Sequence, residues 1–218
     1  MKSPALVAFL LALTLTLTPA APTEANHVKS VVMVNTGQTL CTAFNVDLIP
    51  ARVVAMTAKH CLTVIWTLDP VLGTLSATGY RPIRVFQSGG ELLAEDGTVV
   101  GITGDVVIFT YSRPTVPVVL VLLGADLPKF GDGISGCGVS VEESQVVCYP
   151  GFWSGDTLTY EEKDFLVATL PVRPGMSGGP VADSHGRVFG LFSIQIAGGL
   201  SGISSILHLT QGMQKGSK

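Results

Sequence analysis

The chain is 218 residues long, 47% hydrophobic and 13% charged, the composition of a folded globular protein with one large or two small cores rather than of a disordered one. Its formal charge is -3 and its lysines and arginines are scattered, so there is no basic stripe to hold a phosphate backbone, and nucleic-acid binding is set aside.

At the start of the chain, Lys2, the apolar run ALVAFLLALTLTLT and the small-residue exit PAAPTEA read as an export signal over residues 1–25. Cleavage is expected after Ala25, which leaves Asn26 as the first mature residue. Thr14, Thr16 and Thr18 interrupt the apolar run, which falls short of the roughly 18 to 20 residues of a bilayer span. No stable membrane anchor is therefore expected, and the mature protein is expected to be secreted or extracytoplasmic.

From residue 30 onward, short runs rich in Val, Ile, Thr and Phe follow one another: SVVMVN, LCTAFNV, RVVAMTA, TVIWTL, PIRVFQS, VVIFTYS, VPVVLVLL, QVVCYPG, DFLVATLPV and RVFGLFSIQ. Gly, Pro, Asp and Ser separate them, and no helical periodicity alternates with them, which predicts an all-β sandwich or barrel. The prolines of YSRPTVPVV, Tyr111 to Val119, break this pattern near the middle. They suggest two β units, 26–115 and 116–218, each about the size at which a small barrel can fill its own interior. The tail SSILHLTQGMQK fits either a terminal helix or a frayed end.

Export bears on the four cysteines, Cys41, Cys61, Cys137 and Cys148, because thiols pair and persist in an oxidising compartment. Four cysteines allow three connectivities, and spacing does not choose among them. There is no CxxC pair, and His27, His60, His185 and His208 show no ligand spacing, so neither a metal nor another cofactor is expected.

The densest signal is VRPGMSGGPVAD, Val172 to Asp183, in which three glycines crowd around Ser177. A serine hydroxyl becomes a good nucleophile only when an imidazole takes its proton, and that imidazole works best when a carboxylate fixes its tautomer. In VVAMTAKHCL, His60 stands at the end of a β-type run, where a side chain can project into a cleft. In TGDVVIFTYS, Asp105 directly precedes an apolar strand that would hold its carboxylate rigidly, while Asp69 and Asp96 compete for the role.

In that order, TAKHC, GDVVIF and GMSGGP resemble the three signature blocks of the chymotrypsin-like serine peptidases, whose usual forms are TAAHC, an aspartate before an apolar strand, and GDSGGP. The resemblance implies two six-stranded antiparallel β-barrels with an active site in the cleft between them, and hydrolysis of peptide bonds in protein or peptide substrates. It implies Ser177 as nucleophile, His60 as base and then acid, and Asp105 as the group that orients His60. The N–H groups of Gly175 and Ser177 would form the oxyanion hole. It also implies disulfides Cys41 to Cys61 and Cys137 to Cys148.

Departures from the usual blocks refine this reading. Met176 stands where zymogen-activated members carry an aspartate, and NHVKSVVMVN lacks an IVGG-like start, so activation by a new N-terminus is not expected. Lys59 replaces the usual alanine and is expected to carry its ammonium into water. Pro171 stands where members that cut after Lys or Arg have an aspartate, and Ser193 and Gln195 are read as the pocket's other wall. Phe192 stands where glutamate-preferring members place a histidine. An uncharged side chain of small or medium size is therefore expected before the cut bond. A catalytically inactive binding protein on the same fold would have no reason to keep all three roles filled.

Overall fold

Runs of Val, Thr and Phe pair into two closed rings of strands in the structure, a computed structural model that describes residues 26–209 apart from 38, 70 and 72. The expected export signal, 1–25, and the end of the tail, from 210 onward, lie outside the described residues.

The short helix α1 (Asn26–Lys29) leads into β1 (Val31–Asn35), β2 (Leu40–Ile49) and β3 (Arg52–Ala58). A separate hairpin, β4 (Val64–Leu68) and β5 (Leu75–Tyr80), precedes β6 (Ile83–Phe86), β7 (Leu92–Thr103) and β8 (Val106–Ser112). The first ring closes in the order β1-β2-β3-β8-β7-β6. Alternation along these strands sends Phe44, Met56, Phe109 and Tyr111 into the interior, where all four are fully buried. Burial also raises the pKa of the Tyr111 phenol, which stays neutral and donates to Asn45 Oδ1 at 2.7 Å.

The second ring is built from β10 (Gly133–Ser140), β11 (Gln145–Tyr160), β12 (Lys163–Ala168), β13 (Pro180–Asp183), β14 (Arg187–Ile196) and β15 (Leu200–Ser205). It runs β13-β10-β11-β12-β15-β14, and the β13–β14 pairing closes it with every neighbour antiparallel. Trp153, Leu170, Phe189, Phe192 and Ile203 fill it, with Trp153 edge-on to Phe189 at 5.6 Å. One strand lies outside this plan: β9 (Leu122–Leu123) pairs parallel to β14. The run VPVVLVLL thus yields two strand residues rather than a full strand. Pro117 has no N–H for a ladder, and the segment serves as the bridge between barrels, with Val121 donating to Asn45 O at 3.0 Å. Val121, Val188, Leu191 and Ile206 join the core of the first ring, so the two barrels share an apolar seam.

Two disulfides brace this frame, Cys41 to Cys61 and Cys137 to Cys148. The first ties β2 to the 3-10 turn Lys59–Cys61 that ends β3, across a separation of 20 residues. Replacing Cys41 and Cys61 together by alanine is expected to lower unfolding stability by about 2 to 4 kcal/mol in denaturant titrations run without reductant.

Candidate active site

The TAKHC block places its histidine where β3 stops pairing. The 3-10 turn Lys59–Cys61 swings His60 out of the sheet, leaving it 43% exposed, while Cys61 beneath it is buried. Asp105 is delivered to the same place by the tight turn between β7 and β8, in which Gly104 has φ +56°. Its carbonyl accepts the Lys59 N–H at 2.8 Å, so the backbones carrying the two side chains are themselves bonded. His60 Nδ1 lies 3.3 Å from Asp105 Oδ2.

Asp105 is only 6% exposed, and it is the centre of a small network. Burial pushes its carboxyl pKa up. Hydrogen bonds from His60 and Ser193, together with the charges of His60 and Lys163, outweigh that and hold it below the usual carboxylate range. The Ser193 side chain is buried and lies 2.7 Å from Ser204 Oγ. The two competing aspartates are used elsewhere. Asp96 holds Arg52 at 3.0 Å and Ser112 on the outside of the first barrel, and the Asp69 carboxylate accepts the Val71 N–H in the β4–β5 turn.

Ser177 reaches this corner from the second barrel, on the loop between β12 and β13. Thr42 on β2 holds that loop from the other barrel. Its N–H donates to Ser177 O at 2.9 Å, its hydroxyl donates to Gly175 O at 2.7 Å, and the same hydroxyl accepts the Val139 N–H at 2.8 Å. On the β14 side, Gly178 N–H donates to Phe192 O and Phe192 N–H to Gly179 O, at 2.8 and 2.9 Å. Cys61 Sγ touches Ser177 O at 3.7 Å, which sets the serine loop against the turn carrying His60.

Two of the glycines are required by this packing. Gly175 has φ +95°, and a Cβ there would meet Val139 O at 2.5 Å. Gly178 has φ +83°, and a Cβ there would strike Thr42 O, Thr57 Oγ1 and Ala58 N. Among the described residues, no acceptor takes the N–H of Gly175 or of Ser177. Ser177 Oγ likewise makes no hydrogen bond among them, with His60 or any other group. Such contacts are often long before substrate binds. Met176 is fully buried in the second core, with its Sδ facing the Arg173 N–H at 3.4 Å.

The expected pocket residues divide. Pro171 and Gln195 are exposed at the surface, whereas Ser193 is buried and bonded to Ser204. The sequence reading did not reveal Thr42 or Lys163, neither of which lies in a signature block. The ligand atoms of Cys41, Cys61 and His60 lie within 4.8 Å of one another, but both sulfurs are committed to the disulfide and offer no thiolate to a metal.

No protein-family model matches the chain, and no curated protein matches it either. Solved structures do. Rv3671c protease in an inactive form aligns with TM-score 0.62 at 19% identity, covering 99% of this chain and 97% of that one. A serine-to-alanine mutant of Rv3671c from M. tuberculosis H37Rv, also an inactive form, gives 0.62 at 18% identity over 99% and 94%. The serine endoprotease from Yersinia pestis gives 0.62 at 17% identity over 89% and 67%. The chain has a chymotrypsin-like protease fold. Two disulfides are compatible with an extracytoplasmic location, and among the described residues no helix is long and apolar enough to cross a membrane.

Two outcomes are expected from this geometry. Thr42→Val keeps the shape but leaves Gly175 O and Val139 N–H unpaired, so stability should fall by about 1 to 3 kcal/mol in thermal or denaturant unfolding. Asp105 has a folded pKa below its unfolded one, so its contribution to stability is complete above the unfolded value, about 3.9, and is lost as pH falls from there through the folded value. The stability difference between wild type and Asp105→Asn should therefore shrink on acidification below about pH 4, as followed by urea titrations at stepped pH.

Proposed function

We propose that this protein is a serine endopeptidase that cuts peptide bonds with Ser177, His60 and Asp105. The observation that carries the proposal is the 3.3 Å approach of His60 Nδ1 to a buried Asp105 carboxylate, beside a serine loop pinned by Thr42. With Nδ1–H facing Asp105, Nε2 is left as the base. A substrate carbonyl carbon in the cleft brings Ser177 Oγ and His60 together. The serine oxygen forms its bond to that carbon as its proton passes to Nε2. The oxyanion that results takes the N–H groups of Gly175 and Ser177, donors that no protein group among the described residues occupies. His60 then gives its proton to the departing amine, and a water activated by the same imidazole hydrolyses the acyl-serine.

Met176 supports a site formed without an N-terminal ion pair, because its side chain is neutral and already packed in the second core. On this reading no cleavage beyond signal removal is needed, and a chain beginning at Asn26 is active. With Pro171 in place of an aspartate and no histidine at Phe192, we assign the pocket an uncharged side chain of small or medium size before the cut bond. The absence of a fixed charge there limits discrimination to about 1 to 3 kcal/mol per methylene.

The test uses chain produced from Asn26, a fluorescent phosphonate that labels activated serines, and a peptide library varied before the cut bond. Wild type should be labelled and should cleave Ala, Val or Leu peptides in preference to Arg, Lys or Glu ones. Ser177→Ala should keep its melting temperature, take no label and lose several orders of magnitude in turnover. Labelling or turnover that persists in Ser177→Ala would refute the mechanism.

A further inference from the structure

Asp105 has two carboxylate oxygens, and each faces a basic group from a different barrel. Oδ2 faces His60 from the first, and Oδ1 faces Lys163 Nζ from the second at 3.9 Å. Surface ion pairs ordinarily count for little, because water and salt screen both partners. Here one partner is 6% exposed and the other 40%, so the field of the lysine reaches the carboxylate largely through protein.

The backbone holds this lysine in place in an unusual way. Lys163 opens β12 directly after the two-residue turn Glu161–Glu162, and Tyr160 pairs with Lys163 across it. Both glutamates have positive φ, +49° and +60°. Two-residue turns of that shape favour Asn and Gly, and side chains such as these carry a conformational cost there. The tight turn fixes the register that points Lys163 at Asp105.

The other charged groups near Asp105 can be named. Glu162, Asp164 and His208 line the same cavity of about 400 Å³ on the side of the second barrel. The Asp164 carboxylate accepts Thr159 Oγ1 at 2.7 Å, and so belongs to its own hairpin. From the first barrel come His60 itself and the exposed Lys59, whose N–H bonds to the Asp105 carbonyl.

We propose that Lys163 is a positioning residue, a second cation on Asp105 that competes with the His60 imidazolium for the carboxylate and so moves the acid limb of activity to lower pH. The kinetic consequence rests on the protease reading, whereas the electrostatic one does not. A carboxylate shared with a permanent cation stabilises imidazolium less. With less stabilisation of the charged ring, the neutral base is available in a more acidic medium than it would be without Lys163.

The test compares wild type with Lys163→Met and Lys163→Arg, both in chain produced from Asn26. The His60 ring signals are titrated by NMR, and the rate of phosphonate labelling is followed over the same pH range. In Lys163→Met both the NMR midpoint and the acid limb should move to higher pH, and in Lys163→Arg they should stay near wild type. A methionine variant that titrates with wild type or below it, or an arginine variant that follows methionine, overturns the proposal. If wild type takes no label at any pH, the protease reading fails and the NMR midpoints alone decide the role of Lys163.

Discussion

One side chain on β2 holds the two barrels in register at the place where chemistry is proposed. Thr42 uses its N–H and both functions of its hydroxyl on the second barrel, giving to Ser177 O and Gly175 O and taking from Val139 N–H. These groups are buried or half-buried, so leaving any one unpaired carries a desolvation cost, and the contact is correspondingly well defined. Thr57, on the next strand, returns its own hydroxyl to Thr42 O at 2.7 Å and so fixes the strand that does the holding. The serine loop then has little freedom. Glycines are needed where it passes closest to β10 and β2, because a methyl group at either position would occupy space already filled by backbone atoms.

The electrostatics follow from the same junction. Asp105 lies at the boundary of the barrels, and its partners come from both: His60 from the first, Ser193 and Lys163 from the second. A carboxylate this buried would ordinarily take up a proton, and its depressed pKa is a measure of how completely its partners compensate for lost water. Separation of the barrels would remove two of those partners at once. The pairing that orients the imidazole is therefore coupled to the packing of the apolar seam formed by Val121, Val188, Leu191 and Ile206.

Much of the sheet was legible in the sequence because its strands alternate or run apolar, as in RVVAMTA for β3 and VVIFTYS for β8. What escaped has identifiable causes. β7 carries the exposed Glu95, Asp96, which pairs with Arg52, and Gly97, buried against Ile83, and this polar and glycine-bearing composition hid a twelve-residue strand. β10 contains Gly133, Gly136 and Gly138, residues of low strand propensity, and at Gly136 and Gly138 a Cβ would run into Phe192 and Met176 of the second core. VPVVLVLL erred in the other direction. It has the composition of a strand, but its proline and its task of crossing between barrels leave two residues in a ladder.

The sequence by itself determined the all-β class, two barrels' worth of strands and the glycine-crowded serine, and it marked His60 and Asp105 as candidates beside that serine. Those features are local: strand composition, turn chemistry and residue types within blocks of five or six. Only the tertiary structure decided that Thr42 clasps a loop 133 residues away, that Ser193 faces inward, and that Lys163 shares the carboxylate of Asp105. None of these has a sequence signature, because each depends on a distance between barrels, and that distance is set by the closure of two rings and the seam between them rather than by any neighbouring residue.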